Sequence, residues 1–174
     1  MKKLLFLTLI VSAGLISCKK ESSNPNLTQA ANSWTFKVQG TTYQGVLLWD
    51  PLLNPLLQGN NTYTFTMLGG EASSDRIFNI VMSLADTTFT AKNYQSGISP
   101  TEEITAFYFT HGVAGEEIYK SSNYDPGPIL NYKVESYNSA TRELILTFSG
   151  NVEDAAGNLV PLTEGKVTCK VEKM

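Results

Sequence analysis

Histidine occurs once, at His111, and cysteine twice, at Cys18 and Cys169, in a chain of 174 residues. That scarcity excludes much of the chemistry a small protein can carry. A zinc site needs three or four converging His, Cys or carboxylate ligands, a requirement that one imidazole and two thiols far apart in sequence do not meet. A Ser-His-Asp relay needs a nucleophile exposed on a strained turn such as G-x-S-x-G, and no such elbow occurs. Phosphate-cradling glycine loops are missing too, because Gly69-Gly70 lacks the lysine and the helix that would follow. No metal and no cofactor is therefore expected. Basic residues number 13 against 16 acidic ones, without a basic block, which argues against nucleic acid as a partner. After residue 16 no apolar run comes near the length of about 20 residues that a membrane-crossing helix requires.

What the chain does have begins at its start. Lys2 and Lys3 precede an apolar run from Leu4 to Ile16, broken by Thr8, Ser12 and Gly14, and Ser17-Cys18 follows. A basic start, a short apolar core and a small-residue cleavage site are the parts of a secretory signal peptide. With cysteine at the cut, Leu15-Ile16-Ser17-Cys18 resembles the lipobox of bacterial lipoproteins. The resemblance implies that residues 1–17 are removed and that Cys18 is lipidated, anchoring the protein to a membrane without a spanning segment. Lys19 after the cysteine, rather than an aspartate, resembles lipoproteins sent to the outer membrane. Lys19-Lys20-Glu21 also echoes the surface-export signals of Bacteroidetes lipoproteins, so the periplasmic and surface faces both stay open. Residues 18–32 are polar and contain too little apolar area to offset the entropy of ordering them, so they are expected to form a flexible tether.

Without the signal, the remainder suits one domain with a real core, residues 33–174. Loss of Lys2 and Lys3 leaves 11 basic against 16 acidic residues, a net charge of −5. With Cys18 taken up by the anchor, Cys169 has no disulfide partner in the chain. It alternates with polar residues and shares a face with Val167 and Val171, and so reads as a small core residue.

From Ser33 onward the apolar period is two, the mark of half-buried strands. Strands are expected over residues 34–38, 41–49, 62–68, 76–84, 89–94, 104–111, 130–137, 143–152 and 166–172, with Gly69-Gly70 ending the third. Turn chemistry at Gly97–Pro100, Asp125–Pro128, Asn138-Ser139 and Asp154–Asn158 separates them. No amphipathic helix and no solenoid repeat is visible. Eight to ten short strands with tight turns predict an all-β, antiparallel sandwich or barrel.

The C-terminal third adds a second resemblance. Leu144-Ile145-Leu146-Thr147-Phe148-Ser149-Gly150, then Asp154-Ala155-Ala156-Gly157-Asn158, then Thr163-Glu164-Gly165 follow one another, and Trp34-Thr35-Phe36-Lys37-Val38 opens the domain. Together these look like a group of small β-rich lipoproteins of Bacteroidetes. The resemblance leaves residues 45–130 unmatched and carries over no catalytic or binding residue.

Candidate sites are few. Glu102-Glu103, Glu116-Glu117 and Glu153-Asp154 are paired carboxylates, but strand neighbours point to opposite faces, whereas a glycosidase needs two carboxyls facing each other across a cleft. His111 is expected to be packed or hydrogen-bonded rather than catalytic. Asp86-Thr87-Thr88 resembles a short O-glycosylation motif of exported Bacteroidetes proteins. Trp49, Tyr43, Tyr94, Tyr119 and Tyr124 can be read as loop aromatics that stack sugars, or equally as strand packing. The segment from Trp49 to Gly59 repeats an Asx-Pro-Leu-Leu unit that begins turns and cannot form one continuous helix. Its Leu52, Leu53, Leu56 and Leu57 form either a plug over one end of the fold or a hydrophobic contact surface for a ligand (apolar or glycan), a partner such as an envelope protein, or lipid. The reading is a non-enzymatic, lipid-anchored envelope domain, either a binding module around Trp49 and Tyr124 or a subunit docking through this leucine segment. Changing the four leucines to serine separates the alternatives. A plug loses melting temperature, whereas a contact surface loses binding at unchanged melting.

Overall fold

The computed structural model describes residues 32–51, 53–55, 63–84, 89, 93–95, 105–113, 115–121 and 128–172. These contain eleven strands and no helix: β1 Ser33–Val38, β2 Thr41–Leu47, β3 Leu53–Pro55, β4 Tyr63–Gly70, β5 Arg76–Leu84, β6 Asn93–Gln95, β7 Thr105–His111, β8 Glu117–Ser121, β9 Leu130–Asn138, β10 Glu143–Asp154 and β11 Leu159–Lys170. All pairings are antiparallel. Eight strands close on themselves in the order β11-β1-β2-β4-β5-β7-β8-β10, with β10 returning to β11. The fold is therefore a closed barrel, and of the two expected architectures the sandwich is excluded. The other three strands extend it: β3 lies on β4, β9 on β10, and β6 on β9.

The alternation in the sequence sets each strand's inner face. Trp34, Phe36 and Val38 are buried while Ser33, Thr35 and Lys37 are partly exposed. Phe78, Ile80, Met82 and Leu84 turn inward from β5. Phe107 and Phe109 do so from β7, a strand flanked on both sides by β5 and β8. An eight-stranded barrel encloses just enough space for side chains to fill. Here Trp34, Phe36, Phe78, Phe107, Phe109 and Phe148 fill it, with ring centroids of contacting pairs 4.7–6.5 Å apart. Full burial of such a side chain contributes about 1.5–3 kcal/mol, so this aromatic stack is the main apolar store of the fold.

Trp34 fixes the geometry of its wall. Its indole lies parallel to Phe78 at 4.7 Å and 4°, and on the wall side it rests against backbone. A Cβ on Gly45 would stand 2.6 Å from Trp34 Cζ2, and one on Gly69 would stand 2.6 Å from Trp34 Cδ1. Those glycines are therefore strand residues kept bare for the ring, which is why β4 runs through Gly69-Gly70 instead of ending there. A second glycine serves a junction. Gly150, at φ 147°, sits at a bulge where β10 exchanges β9 for β8 as its neighbour, with Asn151 N–H donating to Ile129 C=O at 3.1 Å.

Eight strands form the ring, as the expected eight to ten allow, and three more extend it. Four observations correct the expected strand list. Leu53–Pro55, expected as a turn-rich connection, forms β3 against Phe65, Thr64 and Tyr63; Pro55 is tolerated because it ends the ladder. β8 was not expected, since its EIYKS sequence has little apolar contrast, and it is held by β7 and the tip of β10. β11 begins seven residues earlier than expected, at Leu159, with a bulge opposite Gly150 that masks its period. Within the range 89–94 the described strand is confined to Asn93–Gln95, with Phe89 buried outside it.

The barrel has two different ends. The β1–β2, β4–β5, β7–β8 and β10–β11 turns gather at one, the hairpin end, as the register requires. Asn32, the end of β2, the β9–β10 turn and the end of β11 gather at the other, the terminal end. Gly69→Ala is expected to destabilise the protein by about 1–3 kcal/mol, the usual cost of overpacking. Gly70→Ala, whose Cβ meets nothing nearer than 3.9 Å, is expected to change stability by less than about 0.5 kcal/mol. Urea titration of both variants checks the pair, and equal effects refute the indole slot.

Candidate functional site

The terminal end is built around Asn32. Its carbonyl accepts the Leu47 N–H at 2.8 Å, its side-chain oxygen accepts the Lys170 N–H at 2.8 Å, and its side-chain nitrogen donates to Asp50. Asn32 stands at φ 67°, a left-handed conformation that asparagine tolerates better than most residues. Nearby, Glu172 N–H donates to Pro51 C=O at 2.8 Å and Val171 N–H to Arg142 C=O at 2.9 Å. The entering chain, the end of β2 and the end of β11 are thus tied together by backbone and amide hydrogen bonds.

Out of this knot β2 carries an exposed apolar edge. Tyr43 and Leu47 turn inward, while Val46, Leu48 and Trp49 are each 52 % exposed. Leu48 N–H donates to Leu68 C=O at 2.9 Å, and Val46 stands opposite Gly70. A Cβ on Gly70 would meet Leu48 Cδ2 at 3.9 Å and Ile77 Cδ1 at 4.0 Å. Val46, Leu48 and Ile77 therefore surround a bare glycine on the outer wall, with Trp49 next along the chain. Of the sequence-singled residues, Trp49 is in this surface and Leu53 is in β3 beside it in the chain. Leu52, Leu56, Leu57 and Tyr124 lie outside the described residues, as do Cys18, Thr87 and the Glu102-Glu103 pair.

Three of the aromatics proposed for sugar stacking are instead part of the packing. Tyr43 and Tyr94 are 9 % and 2 % exposed. Tyr119 stacks on Phe109 at 6.3 Å and lies edge-on to Tyr43 at 5.9 Å. Burial, reinforced by the hydrogen bond with Tyr43, pushes its phenol up to about 12. The alternation that made these tyrosines visible also pointed them inward.

The hairpin end gathers carboxylates that the sequence shows only as separate pairs. Glu116, Glu117, Glu153, Asp154, Lys120 and Ala155 line an open recess of about 200 Å³, because the β8–β10 pairing sets Lys120 opposite Glu153 and Tyr119 opposite Asp154. Lys120 Nζ lies 3.0 Å from Glu117 and 3.6 Å from Glu153, and the hydrogen bond with Glu117 raises its pKa. Asp154 is occupied by its own turn: its Oδ1 accepts N–H groups of Asn158 at 2.8 Å and Ala156 at 2.9 Å. Those bonds, that from Asn158 foremost, hold its carboxyl below the usual 3.8. It stays a carboxylate near neutral pH and is a turn residue, not a proton donor. Among the described residues no group of three or more His, Cys, Asp or Glu side chains could hold a metal ion.

Two further residues that the sequence singles out, His111 and Cys169, have simple surroundings. His111 ends β7 on the surface, its Nδ1 3.3 Å from Asp75 Oδ1, and the nearby Ser74 hydroxyl donates to Glu71 at 2.6 Å. It is hydrogen-bonded, as expected, but exposed rather than packed. Cys169 is buried at 1 % exposure, and burial pushes its thiol up to about 12, which makes it an inert core residue. Comparison of the chain with protein-family models, with curated proteins and with solved structures gives no match.

Asp154 yields a pH prediction. Its folded pKa is depressed, so its contribution to the β10–β11 turn is fully present above 3.8 and lost as pH falls through the lower folded value. The backbone amide shifts of Ala156 and Asn158 are expected to titrate together at a pH below 3.8. An NMR inflection at or above 3.8 would contradict the capped turn.

Proposed function

We propose that the chain is a lipid-anchored envelope protein, held to the outer membrane through Cys18, that works by surface binding rather than by catalysis. The observation that carries the reading is the exposed Val46, Leu48 and Trp49 edge beside Asn32, where the tether enters the barrel. The barrel interior is packed with its own rings, so contact is made from the outer wall. The exposed residues that precede Trp49, Val46 and Leu48, are aliphatic, and Asp50 after it is hydrogen-bonded to Asn32, whereas a sugar site needs hydroxyl-directed polar groups beside its stacking ring. An apolar or amphipathic partner therefore fits better than a glycan. The second reading, docking onto another envelope protein, uses the same edge together with the leucines that follow it in sequence.

The carboxylates and His111 support the non-catalytic part. Glu117 and Glu153 are partnered by Lys120, Asp154 caps a turn, and His111 faces an exposed Asp75. None of them sits in a closed, water-poor site where pKa values are tuned for acid–base work.

Cys18→Ala is the decisive variant for the anchor. Wild-type protein is expected to incorporate radiolabelled palmitate and to sediment with outer membranes, whereas the variant does neither. A Cys18→Ala protein that still sediments with the membrane refutes the anchoring. Protease treatment of intact cells then assigns the face: cleavage without lysis places the domain outside, and protection until lysis places it in the periplasm.

A further inference from the structure

We infer that the Val46–Leu48–Trp49 edge rests on the bilayer in which Cys18 is anchored, so that the barrel is oriented with its terminal end down and its hairpin end up. This rests on the lipid anchor proposed above. It goes further by naming the occupant of the apolar edge and the attitude of the domain.

Three observations converge on lipid. The first is where the tether enters. Asn32 is bonded to Leu47, one residue from Leu48 and two from Trp49, and it is fixed on its other sides by Asp50 and Lys170. Between Cys18 and Asn32 stand 13 residues, a reach of at most about 50 Å. An anchor pulling at Asn32 acts on this end of the barrel first.

The second is composition. Val46 and Leu48 lie beside Gly70 on the outer wall, and Trp49 follows them in the chain, all three 52 % exposed. Indole is favoured at the boundary between headgroups and acyl chains, where one edge is apolar and the other wet. Shallow insertion of such a patch adds to the hold of an acyl anchor in proportion to the apolar area buried.

The third is charge. Glu71, Asp75, Glu116, Glu117, Glu153 and Asp154 sit at or beside the turns of the hairpin end, joined there by Arg76, Lys120 and the Lys37–Glu164 ion pair. Around Asn32 the balance is closer, with Lys170 and Arg142 facing Asp50, Glu143 and Glu172. A bilayer with anionic lipids repels the hairpin end more than the terminal end, so electrostatics and tether select the same orientation.

Tryptophan fluorescence tests this, because the chain has two tryptophans and Trp34 is 1 % exposed inside the barrel. Full-length lipidated protein is reconstituted into phosphatidylcholine vesicles with and without bromine on the acyl chains. Acylation is checked by mass. Trp49 emission is expected to fall severalfold in the brominated vesicles and to be shielded from aqueous iodide. The Val46→Ser/Leu48→Ser variant is expected to lose most of that quenching while still floating with the vesicles. Both positions are half exposed, so its melting temperature serves as the check that it folds. Trp34→Phe isolates the Trp49 signal, and if that variant fails to fold the wild-type difference spectrum serves, since Trp34 is enclosed. Acylated, vesicle-bound protein whose Trp49 is unquenched by bromine and open to iodide overturns the proposal alone. Shielding from iodide without bromine quenching also overturns it, in favour of a protein occupant or a second copy. A chain without acyl groups that stays off the vesicles overturns the anchor, and the proposal with it.

Discussion

The barrel depends on a single close approach, the Trp34 indole laid flat between Phe78 and the bare backbone at Gly45 and Gly69. Trp34 belongs to β1, which is also the strand that meets β11 and so closes the ring. Its ring reaches Phe78 on β5 at 4.7 Å and Phe109 on β7 at 5.9 Å. The side chain therefore ties the closing seam to the opposite wall. The indole N–H finds no hydrogen-bond partner among the described residues, a cost of about 1–3 kcal/mol. Burial of an indole and its stacking against aromatic neighbours more than offset that cost. The glycines pass the same constraint into β2 and β4, and β2 leaves this slot as the apolar edge of the terminal end.

Polarity between the two ends follows from the same topology. Every strand of the ring is antiparallel to its neighbours, so four short turns gather at the hairpin end, while Asn32, the β9–β10 turn and the end of β11 lie at the terminal end. Turns select Asp, Asn and Ser for local hydrogen bonding and Gly for its backbone freedom, as Asp154 shows in the β10–β11 turn.

Much of this was legible in the sequence, and the exceptions have physical reasons. The alternation in Trp34–Val38, Arg76–Leu84 and Leu144–Phe148 reports faces that really are half buried, and Cys169 among valines reports the core. Gly69-Gly70 misled because a glycine required by a ring on another strand looks like a strand end. β8 was hidden because Glu117–Ser121 lies between β7 and β10 with its Tyr119 and Ser121 turned inward and only modest contrast outside. The hairpin-end recess could not be foreseen either. It joins Glu116-Glu117 to Glu153-Asp154 through a pairing across more than thirty residues, and period two contains no information about which strands become neighbours. Trp49 was legible as unusual, but its position near Asn32 needed the pairing at the end of β2.

The seam between β1 and β11 also sets an order of events. Ser33 pairs with Thr168 and Trp34 with Val167, contacts that span nearly the whole domain. Such pairings must be reached against a large loop-closure entropy, and folds dominated by them form slowly. Until β11 arrives, β1 has one edge unpaired and the aromatic stack has no lid on that side. Closure of the ring therefore waits on β11, the strand farthest from β1 in sequence, and the barrel is complete only once that pairing is made.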